Sequence, residues 1–422
     1  MKTFEKTLLA VALAVGTVVS AHATWTSEIS GTTGYISDGN WKIQLKRAGS
    51  RTGSDGKAYF VWNIGDGSKC AITEGSGELD LTGVKADTGL TLVQLAINSC
   101  RQYAGLTSII LPDTLEKIGN TTFYACPNLV SITPWLPGSV TSVGNQAFEK
   151  CTKFVPGEHL IITNDAFTAI GGSAFIGLAI KSVSFTSNLV SIGASAFANC
   201  PITRISPMEF PKLKKVEGWN FNSGAIEGDV LKFTSPNLEQ LGGPSAWSFT
   251  IVNVTNIVVS PTITTWQAFY KGPNLESITC MPMKRKHVPT ETAITFKGFT
   301  GGCPKLTRVD LPFRKRFAIP DSAFAGATQL QDVYFWGAAP TSLGKWYNPH
   351  GNYVLRLHCA KQQDEEGWLA IADELTDEDR ARETYPGPHC FGKTKSENYK
   401  NVSWLVWDRS PYDPLGLMLL LR

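Results

Sequence analysis

The chain carries almost no net charge. Its 422 residues hold 39 Lys and Arg against 36 Asp and Glu, a formal +3, so nothing global marks it for a polyanion such as nucleic acid. Histidines are few: six, scattered, with no H-E-x-x-H pair to hold zinc on a helix face. The nine cysteines include no C-x-x-C, which argues against a zinc knuckle or a thioredoxin-like redox motif. Neither G-x-x-x-x-G-K-[ST] nor a G-x-G-x-x-G after a strand is present, so no phosphate cradle is encoded. No G-x-S-x-G elbow presents a nucleophilic serine. Cys359 beside His358 could suggest a thiol nucleophile, but adjacent residues on a strand point to opposite faces. The chain reads as a non-enzyme, with no cofactor and no metal.

Long apolar runs are also lacking. Leu8–Val19 is the longest at the N-terminus, about 12 residues where a span needs roughly 20. Lys2 and Lys6 precede it and Ala21-His22-Ala23 follows, the layout of a secretory signal peptide at 1–23 with cleavage near Ala23. Leu415–Leu421 is apolar but short, a last strand or docked tail rather than an anchor. The expected location is therefore secreted or cell-surface, with no transmembrane span.

What the chain has in plenty is glycine (39), proline (23) and an internal repeat. The clearest copies are Ile118-Gly119…Phe123…Cys126-Pro127-Asn128-Leu129, Val143-Gly144…Ala147-Phe148…Cys151 and Ile192-Gly193…Ala196-Phe197…Cys200-Pro201. Ala323-Phe324 is a further clear copy, and weaker copies place aromatic anchors at Phe175, Phe221, Trp247, Phe269 and Phe299, so that the anchors lie about 25 residues apart on average. That period lies in the leucine-rich-repeat range of roughly 20–29. Between anchors run segments such as Leu106-x-x-Ile109-x-Leu111, Val254-x-x-Ile257-x-Val259 and Leu330-x-x-Val333-x-Phe335, whose period of two predicts strands. The small, Ala-rich stretch before each anchor suits a helical turn or brief helix. One such coil cannot bury its own apolar face, whereas a stack of coils can. The expected fold is a leucine-rich-repeat solenoid, mostly β with short helices or turns, whose parallel sheet spans about nine to ten coils at 79–340. The anchors are core.

The pattern Ile-Gly-x-x-Ala-Phe-x-x-Cys-x-x-Leu-x-x-Ile resembles the BspA-type leucine-rich repeats of bacterial surface proteins, which also occur in some parasitic protists. The resemblance implies a secreted or surface-exposed protein concerned with adhesion or with host and matrix binding, and no catalytic residues. It extends weakly to Ala339-Pro340-Thr341, Tyr353–Leu357 and Trp368, similar to the segment that closes such arrays, although about 50 residues follow.

The ends differ from the repeats. Residues 24–78 hold strand-like segments such as Trp41–Leu45 and Tyr59–Trp62, read as an N-terminal β cap or a small binding module. Residues 341–422 form an α/β C-terminal cap and tail, with Trp368, Leu369, Ile371, Ala372 and Leu375 on one helical stripe behind an acidic face, and a strand-like segment at Val402–Trp407. Cys126, Cys151 and Cys200 each stand three residues after an anchor and Cys303 four after, a ladder of interior thiols; Cys126 and Cys151, in adjacent coils, also allow a bridge in an oxidising compartment. Outside that register, Cys70 with Cys100 and Cys359 with Cys390 are candidate staples of the two caps.

One charged feature breaks the neutral background. Lys284, Arg285 and Lys286, with His287, and then Arg314, Lys315 and Arg316 each follow a strand in neighbouring coils. From 281 to 316 nine bases meet two acids, a local +7. This is a candidate patch for a protein or acidic glycan ligand. The competing account is a solvated face, or a partner for the acidic end helix. Two further readings are a carbohydrate-binding module using Trp135, Trp266 or Trp336 as stacking platforms, and a structural envelope or matrix protein.

Overall fold

The structure is a computed structural model. It describes residues 24–52, 58–62, 70–154, 156–162, 164–218, 220–221, 226, 228–242, 251–267, 272–281, 295–296, 302–311, 317–320, 323–324, 326–336, 340–341, 355–359 and 402–407. The signal-peptide segment, the anchors Trp247, Phe269 and Phe299, and the expected acidic helix lie outside them.

Each Leu-x-x-Ile-x-Leu segment forms a strand because its apolar residues alternate with polar ones, which puts one face into the coil and one outside. These strands stack in parallel, in register, as three groups. The first joins Gly77–Asp80, Leu106–Ile110 and Ser131–Thr133, and the second joins His159–Ile161, Ser182–Ser184 and Arg204–Ser206. The third runs from Val230–Phe233 through Asn256–Val259, Ser277–Cys280, Arg308–Leu311, Asp332–Phe335 and Leu355–Cys359 to Val402–Trp407. Thr133-Pro134 and Ser206-Pro207 are cis and close the last strands of the first two groups. A proline has no N–H for a ladder, yet past Pro207 the backbone bonds resume, Lys232 N to Met208 O at 2.8 Å and Phe210 N to Lys232 O at 3.0 Å. The strand-like segment at the C-terminal end is thus one more parallel strand of the same sheet, paired with Leu355–Cys359.

The Ile-Gly pairs build a second parallel sheet of very short strands, including Lys117–Ile118, Ser142–Val143, Ala169–Ile170 and Ser191–Ile192. The glycine is demanded by contact. A β-carbon on Gly144 would lie 2.5 Å from Asn120 N, and one on Gly171 would lie 2.3 Å from Asn145 N. Only a residue without a side chain lets successive coils close to that distance.

The anchor turn is not a helix. Among the described residues the only helix is Val84–Thr88. Left-handed residues flank the anchors: Thr121 and Ala125 around Phe123, Gln146 and Lys150 around Phe148, Ser173 and Gly177 around Phe175, Ser195 and Asn199 around Phe197. A left-handed residue two before and two after the anchor interrupts any right-handed run. The turns instead bond across coils, with Phe123 N to Ala147 O at 2.9 Å, Phe148 N to Ala174 O at 3.0 Å and Phe175 N to Ala196 O at 2.9 Å. This third ladder satisfies amides that a helix would have paired internally.

Inside, the anchors form a continuous aromatic column. Ring centroids are 5.3 Å apart for Phe123–Phe148, 5.6 Å for Phe148–Phe175, 5.2 Å for Phe175–Phe197 and 5.3 Å for Phe197–Phe221. A second column, Phe185–Phe210–Phe233, runs beside it. Turn asparagines tie the coils at the rim: Asn128, Asn164, Asn188 and Asn274 each donate Nδ2 to a carbonyl of the preceding coil, Ala104, Val140, Asp165 and Val252.

The N-terminal segment is largely antiparallel sheet. Antiparallel strands Thr26–Ser30, Thr33–Ser37, Lys42–Thr52 and Ala58–Trp62 lead into the short-strand sheet through the parallel partner Thr91–Leu95. Trp25, Ile36, Trp41 and Leu45 belong to the same hydrophobic core as the repeats. Trp41 Nε1 donates to Glu78 O at 2.8 Å and Trp25 Nε1 to Asp80 O at 3.1 Å, fixing this segment to the first coil.

Candidate binding surface

The long-strand sheet leaves two columns of side chains facing outward. One runs through Ser131; His159, Ser182 and Arg204; and Asn256, Ser277, Arg308 and Asp332. The other includes Thr133; Ile161, Ser184 and Ser206; and Asp310, Tyr334 and His358. Over the first two groups these positions are mostly hydroxyls, with His159 bonded to Ser182 Oγ at 2.6 Å and Ile161 exposed. Edge pairs such as Lys181–Glu158 and Lys232–Glu209 sit in solvent and cancel locally.

Toward the C-terminal end the surface changes character. Asp310 is fully buried although it stands at an outward position. It accepts from Arg308 Nε at 2.9 Å and from the backbone N–H of Cys280, one coil earlier, at 3.0 Å. Burial pushes its carboxyl above the ordinary value, and Arg308 and the Cys280 amide pull it back without cancelling that effect. The Arg308 guanidinium lies 4.0 Å from the Tyr334 ring centroid. From the following coil, the His358 ring stacks on Tyr334 at 3.9 Å and 10°, and its Nε2 meets Asp332 Oδ1 at 2.7 Å. Cys280 and Trp336 pack with Tyr334 as a small apolar cluster separate from the main core. The result is a layered floor of charge and aromatic rings across three coils, with its charged members bonded to one another.

The basic residues Lys284, Arg285, Lys286, Arg314, Lys315 and Arg316 lie outside the described residues. The strands that lead into them are described: Ser277–Cys280 and Arg308–Leu311 are hydrogen-bonded neighbours, with Ser277 opposite Arg308. Both basic segments therefore begin four residues beyond the Cys280–Asp310 contact. That floor was missed in the sequence. Its signal is Arg-x-Asp, Asp-x-Tyr and Arg-x-His at matching places in three coils, visible only once the register is known.

The tryptophan platforms are not formed. Trp266 and Trp336 are buried, and Trp135 turns inward against Phe148, Phe154 and Phe175 at centroid distances of 5.0, 4.9 and 5.7 Å. A ring packed on both sides offers no face to a sugar. His358 and Cys359 fall in different columns, opposite Tyr334 and Phe335.

Cys70 and Cys100 are thiols in this structure, as are Cys126, Cys151, Cys200, Cys280 and Cys303. Cys70 Sγ bonds to Ser99 O at 3.1 Å, and burial pushes its thiol up to about 11. Cys100 occupies the anchor position of the first coil: its N–H donates to Thr122 O at 2.8 Å, and left-handed Asn98 and Gln102 flank it as such residues flank each later Phe. Its side chain is thereby committed to the core column. Cys390 and the Cys359 side chain lie outside the described residues.

Two overlapping stretches, 96–227 and 168–291, match the family model of the BspA type leucine rich repeat region, in six copies. Residues 96–291 are a BspA-type leucine-rich-repeat region. No curated protein matches the chain. Among solved structures, a leucine rich cell surface protein from Faecalibacterium prausnitzii is similar at 17% identity, covering 82% of this chain and 97% of its own, with a TM-score of 0.30. A leucine-rich repeat protein from Bacteroides ovatus has 14% identity over 76% of this chain and 96% of its own, with a TM-score of 0.33. The T. pallidum leucine rich repeat protein has 17% identity over 50% of this chain and 83% of its own, with a TM-score of 0.29. The described anchors Phe123, Phe148, Phe175, Phe197 and Phe221 and the thiols of Cys126, Cys151 and Cys200 are all buried in the stack.

Proposed function

We propose that this chain is a secreted or cell-surface binding protein, an adhesion-type scaffold without catalysis, whose ligand is acidic and docks at the C-terminal part of the long-strand sheet. The observation that carries this reading is the adjacency of the two strands that lead into 284–287 and 314–316, above a floor whose own charges are already paired. Of the nine bases in the 281–316 segment, Arg308 bonds Asp310 and Lys305 bonds Asn274. Such a concentration of cations attracts sulfated or sialylated glycan, lipopolysaccharide phosphate or an acidic protein surface. The family supports a scaffold role, and the signal-peptide pattern at 1–23 supports exposure outside the cytoplasm.

Charge reversal tests it. Arg285→Glu with Arg314→Glu, presented to arrays of sulfated, sialylated and neutral glycans, abolishes the salt-sensitive part of binding while leaving the thermal melt unchanged. Binding that is equal for wild type and variant, or insensitive to salt, sinks the patch. The structural-matrix alternative predicts concentration-dependent growth of light scattering by the protein alone.

A further inference from the structure

We infer that Cys126 and Cys151 are the site of a cross-coil disulfide, a covalent bond between two successive repeats. The two residues occupy the same place on the same turn: Cys126 N donates to Phe123 O at 3.2 Å, and Cys151 N to Phe148 O at 3.3 Å. Backbone bonds hold the turns in register on either side, Phe123 N to Ala147 O at 2.9 Å and Ala125 N to Glu149 O at 2.8 Å. Parallel neighbours stacked this way sit about 4.8 Å apart. A disulfide spans α-carbons roughly 4.4–6.8 Å apart, so the backbone already meets its requirement.

The Cys151 side chain leans toward the coil of Cys126, whereas that of Cys126 leans on toward the coil of Cys100 and turns about χ1 when the bond forms. Cys151 Sγ reaches back over the preceding coil, 2.8 Å from Phe123 O, while Cys126 Sγ is 2.9 Å from Cys100 O. Both thiols are buried. They also bond to one another, and that contact draws the Cys151 thiol below its ordinary acidity constant and the Cys126 thiol above it. Among the ladder positions this is the one adjacent pair of cysteines. The next coil places Leu178 three residues after Phe175, which isolates Cys200.

The chemistry closes with a disulfide of a small thiol as oxidant. The Cys151 thiolate attacks one sulfur of that disulfide and expels a thiolate, leaving a mixed disulfide on Cys151. The Cys126 thiolate then attacks the Cys151 sulfur and expels the second small thiol. The protein loses two protons and two electrons, and the oxidant gains both. Because the pair is buried, the exchange takes place as the coils close during folding, before the stack seals them. Forming the bond gives up the weak S–H bonds to Cys100 O and Phe123 O.

The test uses the full chain, refolded in a mixture of oxidised and reduced glutathione, alkylated in denaturant and digested with trypsin. Cleavage after Lys150 separates the two cysteines. The expected result is a linked peptide pair bearing Cys126 and Cys151, about two mass units lighter than the sum of its reduced halves and lost on reduction. Cys200 is recovered alkylated in the same sample. In Cys126→Ala the Cys151 peptide also appears alkylated, and the wild-type peptide map stands alone should that variant fail to fold. Recovery of Cys126 and Cys151 both alkylated from folded, oxidised chains, or either of them joined to a different cysteine, overturns the assignment.

Discussion

Truncating Phe148 to alanine attacks the middle of the aromatic column. Phe148 is fully buried and touches four rings: Phe123 and Phe175 along the column, and Trp135 and Phe154 beside it, at centroid distances of 5.3, 5.6, 5.0 and 5.6 Å. Removing a buried Phe costs about 3–5 kcal/mol through lost burial and the residual cavity. Each well-placed aromatic pair adds about 0.5–1.5 kcal/mol beyond its area, which places Phe148→Ala at the upper end of that range. Relaxation into the hole is limited, because the neighbouring coils are pinned by Phe123 N to Ala147 O and Phe148 N to Ala174 O. Urea unfolding followed by far-ultraviolet circular dichroism reads the loss directly. Ile161→Ala is the control: Ile161 is 58% exposed, and its truncation costs about 0.5 kcal/mol or less. The column account is refuted by a Phe148→Ala loss under about 1 kcal/mol, or by one equal to that of Ile161→Ala.

Other perturbations separate the contributions. Gly171→Ala forces a β-carbon to 2.3 Å from Asn145 N, and overpacking of that kind costs about 1–3 kcal/mol or more, read as a fall in melting temperature. Ala125→Gly relieves a left-handed alanine (φ 53°) and raises stability by about 0.5–1 kcal/mol once the greater freedom of glycine in the unfolded chain is subtracted; a loss would show that the turn is not strained there. Asp310→Ala leaves the Cys280 amide unpaired in a buried site and costs about 1–3 kcal/mol in urea unfolding. Asp310 also sets a slope with pH. Its folded-state value lies above the unfolded one, so its contribution is fully present below the unfolded value near 3.8 and is lost as pH rises through the folded value. Relative to Asp310→Asn, wild-type stability therefore falls from about pH 4 toward neutrality, and a rise over that window contradicts the assignment.

Much of this molecule was legible in the sequence because its period repeats the same physics. A buried Phe every 25 or so residues, with strands at period two between, admits few folds other than stacked coils, and Phe123, Phe148, Phe175 and Phe197 stand where that reading put them. The anchor turn was less legible. Its Ala-rich composition favours helix locally, and the cross-coil amide bonds that impose left-handed residues at Thr121 and Ala125 depend on partners about 25 residues away. Cys100 was hidden in the same way: nothing in its neighbours says that a cysteine fills the aromatic position of the first coil. The Arg308–Asp310–Tyr334–His358 floor was invisible because outward-facing residues follow no period. Only the register of three separate strands brings them together.

The central claim is that the anchor turns are knitted coil to coil, so that the array is one continuous structure rather than a string of loops between strands. Native-state hydrogen exchange measures this directly. The account predicts that the amides of Phe123, Phe148 and Phe175, each bonded to the next coil, exchange slowly and as a block, on the same scale as the strand amides of Ile132 and Val183 and far more slowly than turn amides in solvent such as Gly31. Exchange of those three anchor amides at the rate of Gly31 would contradict it.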